Sequence, residues 1–197
     1  KQFIVSTGRD CLTEAIAELL SGYETAEREV WIELGLQSAC NATLSRVNRG
    51  HTAEDFLSAY RTATEYGLKR TVHIMTGLPG EGLDRIIETA RFVAGLDPDG
   101  LKIHNVYIPE GAPIYREYLR GELSVPSMQR HLDYVVRILE EIPRSVVIMR
   151  VTGDPPSQTH SAPRRTIQKN RFYSLLDKEL EHRNSFQGKR FGREHDV

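Results

Sequence analysis

Apolar residues recur along this chain in two alternating spacings. Short runs, with apolar residues at every or every second position, alternate with longer stretches in which they return every third or fourth position. The first spacing predicts strands and the second helices. Residues 3–6 read as a strand and Thr7-Gly8-Arg9-Asp10 as a turn. A helix follows, capped by Asp10 or Thr13, with Leu12, Ala15, Ile16, Leu19 and Leu20 as its stripe. Val30 to Ser38 is the second strand. After a polar connection, Thr52 with an acid three residues on predicts a helix start. Phe56, Leu57, Tyr60, Ala63 and Thr64 continue that helix, and Gly67 stops it. Thr71 to Met75 is a strand, followed by a helix with Leu83, Ile86, Ile87, Ala90 and Val93 inward. Asp97-Pro98-Asp99-Gly100 reads as a turn, and Leu101 to Ile108 as the fourth strand.

Beyond Pro113 the pattern changes. Ile114 to Leu119 predicts a short helix. A long helix is expected from about Pro126, in its first turn, to Ile142, with Pro143 ending it. Ser145 to Arg150 is a fifth strand, Asp154 to Pro163 a loop, and about Thr166 to Glu181 a last helix. The tail from Gly188 to Arg193 reads as mobile.

Strands that alternate with helices across short connections imply a parallel sheet with right-handed crossovers. The spacing does not separate an open doubly wound sheet from a barrel. In both, ligands meet polar residues at the C-terminal ends of the strands. Within the second strand Glu33, Gly35 and Gln37 are two apart and share a face. Polar groups on a core-facing strand need partners, and Gly35 lets a ligand approach the backbone. Arg49, His73, the loop Thr76 to Glu81 and His104 also lie at or near strand ends.

Composition adds few constraints. The 197 residues carry a net charge of −1, so no global charge signals nucleic acid. No apolar run reaches the length of a membrane span, which points to a cytoplasmic protein without membrane contact. The two cysteines, Cys11 and Cys40, are far apart and form neither a CxxC pair nor a zinc pattern. Charge is uneven near the end. Arg164, Arg165, Lys169, Arg171, Lys178, Arg183, Lys189, Arg190 and Arg193 outnumber the acids there, with Phe172, Phe186 and Phe191 interleaved. That composition suits either an RNA surface or a solvated helix face.

Val30-Trp31-Ile32-Glu33-Leu34-Gly35-Leu36-Gln37-Ser38, Arg46-Val47-Asn48-Arg49-Gly50-His51, His73 to Glu81, Leu101-Lys102-Ile103-His104 and Arg150 to Asp154 resemble, in order, radical S-adenosylmethionine (SAM) proteins. The resemblance is to the YhcC/YtqA-like family, related to the catalytic subunit of Elongator. It implies an α/β fold: a partial TIM-type (β/α)6 barrel fragment of parallel strands, lacking the first two βα units, plus a C-terminal helical extension. Residues 1–125 would hold units three to six, and residues 126–197 the extension. The implied cofactors are SAM and a [4Fe–4S] cluster, used together to generate a 5′-deoxyadenosyl radical.

Carried over by motif, Arg49 would pair with the SAM carboxylate and Gln37 with its ribose or methionine end. Gly77, Leu78 and Pro79 would meet adenine, and His73 would lie near ribose. Glu33, His104 and Arg150 are expected around the cavity, the last two facing substrate. Arg9 is a shifted candidate for an arginine of the family's first turn. The family's cluster-binding cysteine triad has no match, so the chain is expected to be a C-terminal piece that is inactive as given, with no metal ligands of its own. For the whole enzyme the resemblance implies tRNA wobble-uridine modification and an electron donor such as flavodoxin or ferredoxin. Two other readings remain open: a non-catalytic RNA- or partner-binding module, and a metal-dependent hydrolase barrel with His73, His104 and Glu33 as ligands.

Overall fold

The computed structural model describes residues 1–7, 12–153, 161–163 and 168–192. Along the chain it has strands β1 (Gln2–Thr7), β2 (Glu29–Gln37), β3 (Lys69–Thr76), β4 (Gly100–Asn105), β5 (Ile108–Pro109), β6 (Val147–Arg150) and β7 (Ser161–Ala162). The helices are α1 (Glu14–Ser21), α2 (Asn41–Arg46), α3 (Ala53–Glu65), α4 (Leu83–Gly95), α5 (Tyr115–Leu119), α6 (Met128–Glu141) and α7 (Lys169–His182). Five strands form one sheet in the order β1-β2-β3-β4-β6. Every neighbouring pair is parallel. β5 and β7 form a separate antiparallel pair.

The strands look buried on both sides because they are, but by different chemistry on each face. Val30, Ile32, Leu34 and Leu36 of β2, with Val72 and Ile74 of β3 and Leu101 and Ile103 of β4, join apolar residues of α1, α3, α4, α6 and α7 in one core. The intervening positions carry Glu33, Thr71, His73, Lys102 and His104. A period of two sends these to the opposite face. The helices therefore gather on one side, and the other side is lined with polar groups.

Local signals set the helix ends. Thr13 accepts a hydrogen bond from the Ile16 amide at 3.4 Å and caps α1, whereas Asp10 lies outside the described residues. Thr52 and Asp55 form a reciprocal capping box on α3. Gly67, at φ 70°, turns the chain off that helix.

Several boundaries differ from the sequence expectation. The polar connection after Ser38 contains α2, six residues without an apolar stripe. β4 ends at Asn105, whose buried amide oxygen accepts from the Thr152 hydroxyl (2.9 Å) and the Gly153 amide (3.0 Å); Ile108 belongs to β5 instead. Pro126 lies before α6, because Ser127 supplies the capping oxygen, to the Arg130 amide at 3.2 Å. β6, from the stretch beyond residue 126, is the fifth strand of the main sheet, beside β4.

The tail is pinned as far as it is described. The Gly188 amide donates to Leu139 O at 2.9 Å and the Arg190 amide to Glu140 O at 2.8 Å. The Arg190 guanidinium pairs with the Glu140 carboxylate at 2.8 Å, and the Gln187 amide bonds the Pro143 and Val146 carbonyls. Residues 188–192 thus cap the end of α6. Of the expected basic, aromatic surface, Phe172 is fully buried in the core, and Arg183 pairs with Asp133 and Glu179. Arg164, Arg165 and Arg193 lie outside the described residues, as do Arg9 and Cys11.

Candidate active site

A cleft of about 630 Å³ opens at the C-terminal ends of β2, β3 and β4, within the size range of small-molecule sites. Gln37, Arg49, His73, Leu78, Pro79 and His104, all singled out in the sequence, line it together. The far wall comes from Val106 to Pro109 and Ala112 to Ile114. That wall is held by a second apolar cluster around Leu78, Val106, Ile108, Tyr115 and Ala162.

At the end of β2 the register slips between Gly35 and Gln37, and Gln37 takes φ 69°. A left-handed conformation at a non-glycine residue costs energy and marks sites where geometry is imposed. Here it folds the Gln37 side chain back over Gly35. A Cβ added at Gly35 would stand 2.5 Å from Gln37 Nε2 and 2.7 Å from an Arg49 terminal nitrogen. Arg49 reaches this point because α2 ends in a tight turn: Asn48 has φ 52°, and the Arg49 amide donates to Leu44 O at 2.9 Å. Its guanidinium then lies 3.4 Å from Gly35 O. The missing side chain at Gly35 is what lets an amide and a guanidinium converge.

The β3 loop is tied to the same end of the sheet. Ser38 donates a short hydrogen bond to the Glu81 carboxyl. Burial raises the Glu81 pKa, and that bond opposes the shift. Gly77 has φ 84°, and a Cβ there would meet the Pro126 ring at 2.5 Å. It lies outside the cleft lining and sets the turn that presents Leu78 and Pro79.

Below the cleft runs a polar chain across the inner face. Glu33, 5% exposed, accepts from Ser6 Oγ at 2.8 Å, from His73 Nε2 at 3.0 Å and from Lys102 Nζ in a buried ion pair. Burial alone would raise its pKa. The Lys102 and Ser6 hydrogen bonds, with the nearby His73 ring and Lys102, outweigh burial and hold it low. His73 is pushed below the usual histidine value by burial, against the pull of Glu33. His104 stacks on His73 with ring centroids 5.3 Å apart. Burial, then His73, Arg150 and Lys102, bring it down to about 4. Both imidazoles are therefore neutral at pH 7. Among the described residues the buried Nε2 of His104 and the Tyr107 hydroxyl have no hydrogen-bond partner, and both residues line the cleft. Such orphans are rare and cost about 1–3 kcal/mol each.

His131 is a different case. Fully buried, it bonds Thr76 Oγ1 at 2.7 Å and Val151 O at 3.0 Å and stacks on Phe172. Because a carbonyl only accepts, Nε2 carries the proton and Nδ1 accepts from Thr76. Lys102, Tyr107 and the Thr76–His131 pair were not singled out from the sequence. Lys102 had one usable signal, its place two residues before His104 on the same strand face. The hydrolase arrangement does not form: His73 and His104 stack rather than converge, and the Glu33 carboxylate is taken by Lys102, Ser6 and His73. Among the described residues no group of three or more His, Cys, Asp or Glu could hold a metal ion. No helix among them is long and apolar enough to cross a membrane.

Residues 1–93 match the model of the radical SAM superfamily, and residues 98–182 match that of the radical SAM C-terminal domain. The chain belongs to the radical SAM superfamily, in a YhcC/YtqA-like family related to Elongator. It is 35% identical to the uncharacterized protein YtqA of Bacillus subtilis, over 96% of this chain and 58% of that protein. It is 32% identical to YhcC of Escherichia coli, over 81% of this chain and 52% of that protein. The chain thus spans little more than half the length of these relatives. A tRNA uridine(34) acetyltransferase of Methanocaldococcus jannaschii is 29% identical over 64% of this chain and 24% of that protein. Among solved structures, an archaeal Elp3 from Methanocaldococcus infernus superposes with a TM-score of 0.79 at 22% identity, over 93% of this chain and 42% of the other. The fold is accordingly the partial barrel of βα units found in radical SAM enzymes.

SAM and a [4Fe–4S] cluster are the cofactors of that superfamily. The residues here fit SAM. The cleft has the volume, an apolar wall, an amide and a guanidinium converging over a bare glycine, and two buried polar atoms awaiting partners. They do not fit the cluster. Such clusters are held by sets of cysteine thiolates, and this chain has two cysteines. Cys40 stands at the start of α2 as a free cysteine, and the neighbouring Thr43 lowers its pKa.

Proposed function

We propose that this chain forms the SAM-holding and substrate-facing half of a radical SAM enzyme that acts on tRNA. The carrying observation is the convergence of Gln37 and Arg49 over Gly35 at the mouth of the cleft. A guanidinium fork matches a carboxylate with two parallel hydrogen bonds. Arg49 would take the carboxylate of SAM, and Gln37 the polar atoms of its ribose or methionine end. Leu78 and Pro79 would offer adenine an apolar surface, with the Gly77 turn presenting them. When bound, SAM supplies the adenosyl group for hydrogen abstraction.

The inner face below would hold the substrate side. Glu33 orients His73 by accepting from Nε2, which would leave a neutral ring near the ribose. His104 and Arg150 lie further along that face. The tRNA reading is supported by similarity to the tRNA uridine(34) acetyltransferase. The cluster ligands, and with them radical generation, would come from outside these residues, along with an electron donor such as flavodoxin or ferredoxin. By itself the chain would bind SAM without cleaving it.

Calorimetric titration of SAM tests this reading. Arg49→Ala is expected to weaken binding by about 2 kcal/mol, roughly thirtyfold, as for loss of a charge-assisted pair. Equal affinity in the two proteins would refute the assignment of Arg49.

A further inference from the structure

We propose that Arg150 and His104 form a subsite for an anionic oxygen, a carboxylate or phosphate group carried by the substrate rather than by SAM. The inference rests on the reading of the cleft above and extends it to the substrate's chemistry.

Three observations support it. First, Arg150 is paired in register with Lys102 across β4 and β6, after a slip that follows Leu101. Like charges directly opposite one another on a sheet repel. Lys102 is neutralised by Glu33, while among the described residues no carboxylate pairs with Arg150. Among the described residues Arg150 is therefore a cation of the inner face without a carboxylate partner. Second, among the described residues the buried His104 Nε2 has no partner although the ring lines the cleft. Third, that ring is fixed in place. It stacks on His73 on one side, and a Cβ added at Gly153 would come within 3.1 Å of its Nδ1. In its Nε2–H tautomer the neutral His104 imidazole would form, with the guanidinium of the neighbouring strand, a donor pair suited to an anionic oxygen.

The carboxylate of SAM does not serve this site if Arg49 holds it. Arg49 meets the backbone of β2, whereas Arg150 belongs to β6, three strand spacings away, or about 14 Å. The ionisable groups on this face are Glu33, His73, Lys102, His104 and Arg150. Among the described residues the carboxylate on this face, Glu33, is committed to Lys102, Ser6 and His73, which leaves a ligand as the source of the anion.

The test follows the histidine ring resonances of the purified protein by NMR during titration with inorganic phosphate and, separately, with acetate. At constant ionic strength the His104 signals are expected to shift saturably with at least one of the two. Saturation with phosphate alone assigns a phosphate source, and saturation with acetate a carboxylate. The His104 pKa should rise when the site is filled. Arg150→Gln should weaken the response about tenfold or more, and Arg150→Lys should restore part of it. The His131 ring, buried elsewhere, reports whether each variant is folded. Absence of a saturable His104 shift with either anion overturns the proposal, as does an unchanged response in folded Arg150→Gln. SAM titration of the same wild-type sample separates the two readings. A phosphate response without SAM binding removes the SAM assignment and leaves the anion subsite. SAM binding without an anion response does the reverse.

Discussion

Glu33 on β2 accepts a hydrogen bond from His73 Nε2 on β3 at 3.0 Å, while its other carboxylate oxygen meets Lys102 on β4. With Ser6 of β1 also bonded to it, one carboxylate thus joins four neighbouring strands on the inner face, beneath the cleft. It forms an ion pair with a lysine, and it fixes the protonated nitrogen of a histidine ring. A group with that many partners governs both stability and the shape of the cleft floor.

Glu33→Ala is expected to destabilise the protein by about 3 kcal/mol, because Lys102, only 14% exposed, would be left largely buried with no counter-charge. Urea unfolding would measure this. A double variant that also changes Lys102 to Met should recover much of the loss. If the single and double variants were equally unstable, the ion pair would not be the source.

Gly35→Ala should separate binding from folding. The added methyl meets the mobile ends of Gln37 and Arg49, which can move aside, so stability should change by less than about 1 kcal/mol. The polar convergence that would receive SAM is lost, and affinity should fall by about tenfold or more. Calorimetry beside a thermal melt reads both. Retained affinity would show that the bare backbone at residue 35 is not needed.

Gly77→Ala should behave in the opposite way. At φ 84° and with Pro126 ring carbons at 2.5 and 2.6 Å from the new Cβ, neither the backbone nor its neighbour can easily relax. A loss of roughly 2 kcal/mol is expected, read from the denaturant midpoint. A variant as stable as the parent would mean that the turn is not constrained.

Acid should weaken the fold before the carboxylates titrate. Burial brings the His131 pKa to about 4, against the hydrogen bond to Val151 O, and His104 is shifted the same way. A histidine lowered on folding binds more protons when unfolded. Its contribution is full above the unfolded value near 6.5 and is lost as pH falls from there to about 4. For the fully buried His131 the loss is on the order of 3 kcal/mol. Glu33, held below the ordinary glutamate range, adds its own loss at lower pH. Denaturant midpoints measured between pH 7 and 4 should therefore decline, and His131→Gln should flatten the upper part of that decline. A flat profile in the parent would contradict the burial of these rings as neutral species.

Much of this arrangement was legible beforehand where the physics is local. Thr52 and Asp55 announced the start of α3 because a capping box closes within four residues, and Gly67 announced its end because a left-handed turn favours glycine. The strands showed themselves through runs of apolar side chains. Placing Gln37, Arg49, His73, Leu78, Pro79 and His104 in one cleft was within reach too, since in parallel βα folds the strand ends share one rim. α2 escaped notice because six residues leave no room for an amphipathic repeat. The tail was misjudged because its anchors, the Leu139 and Glu140 carbonyls, are backbone groups that no composition reveals.

The sequence by itself determined the alternation of the main-sheet strands with the longer helices, the capping box of α3, the family, and the residue types gathered at the strand ends. Tertiary structure alone decided which of those residues meet. Lys102 became the partner of Glu33, Arg150 the neighbour of Lys102, and His104 the ring stacked on His73. Each of these contacts joins residues separated by long stretches of chain, and strand register decides which residues meet across a sheet. Register is set by the packing of the whole apolar face against its helices, and by the slips after Gly35 and Leu101, so no single segment encodes it.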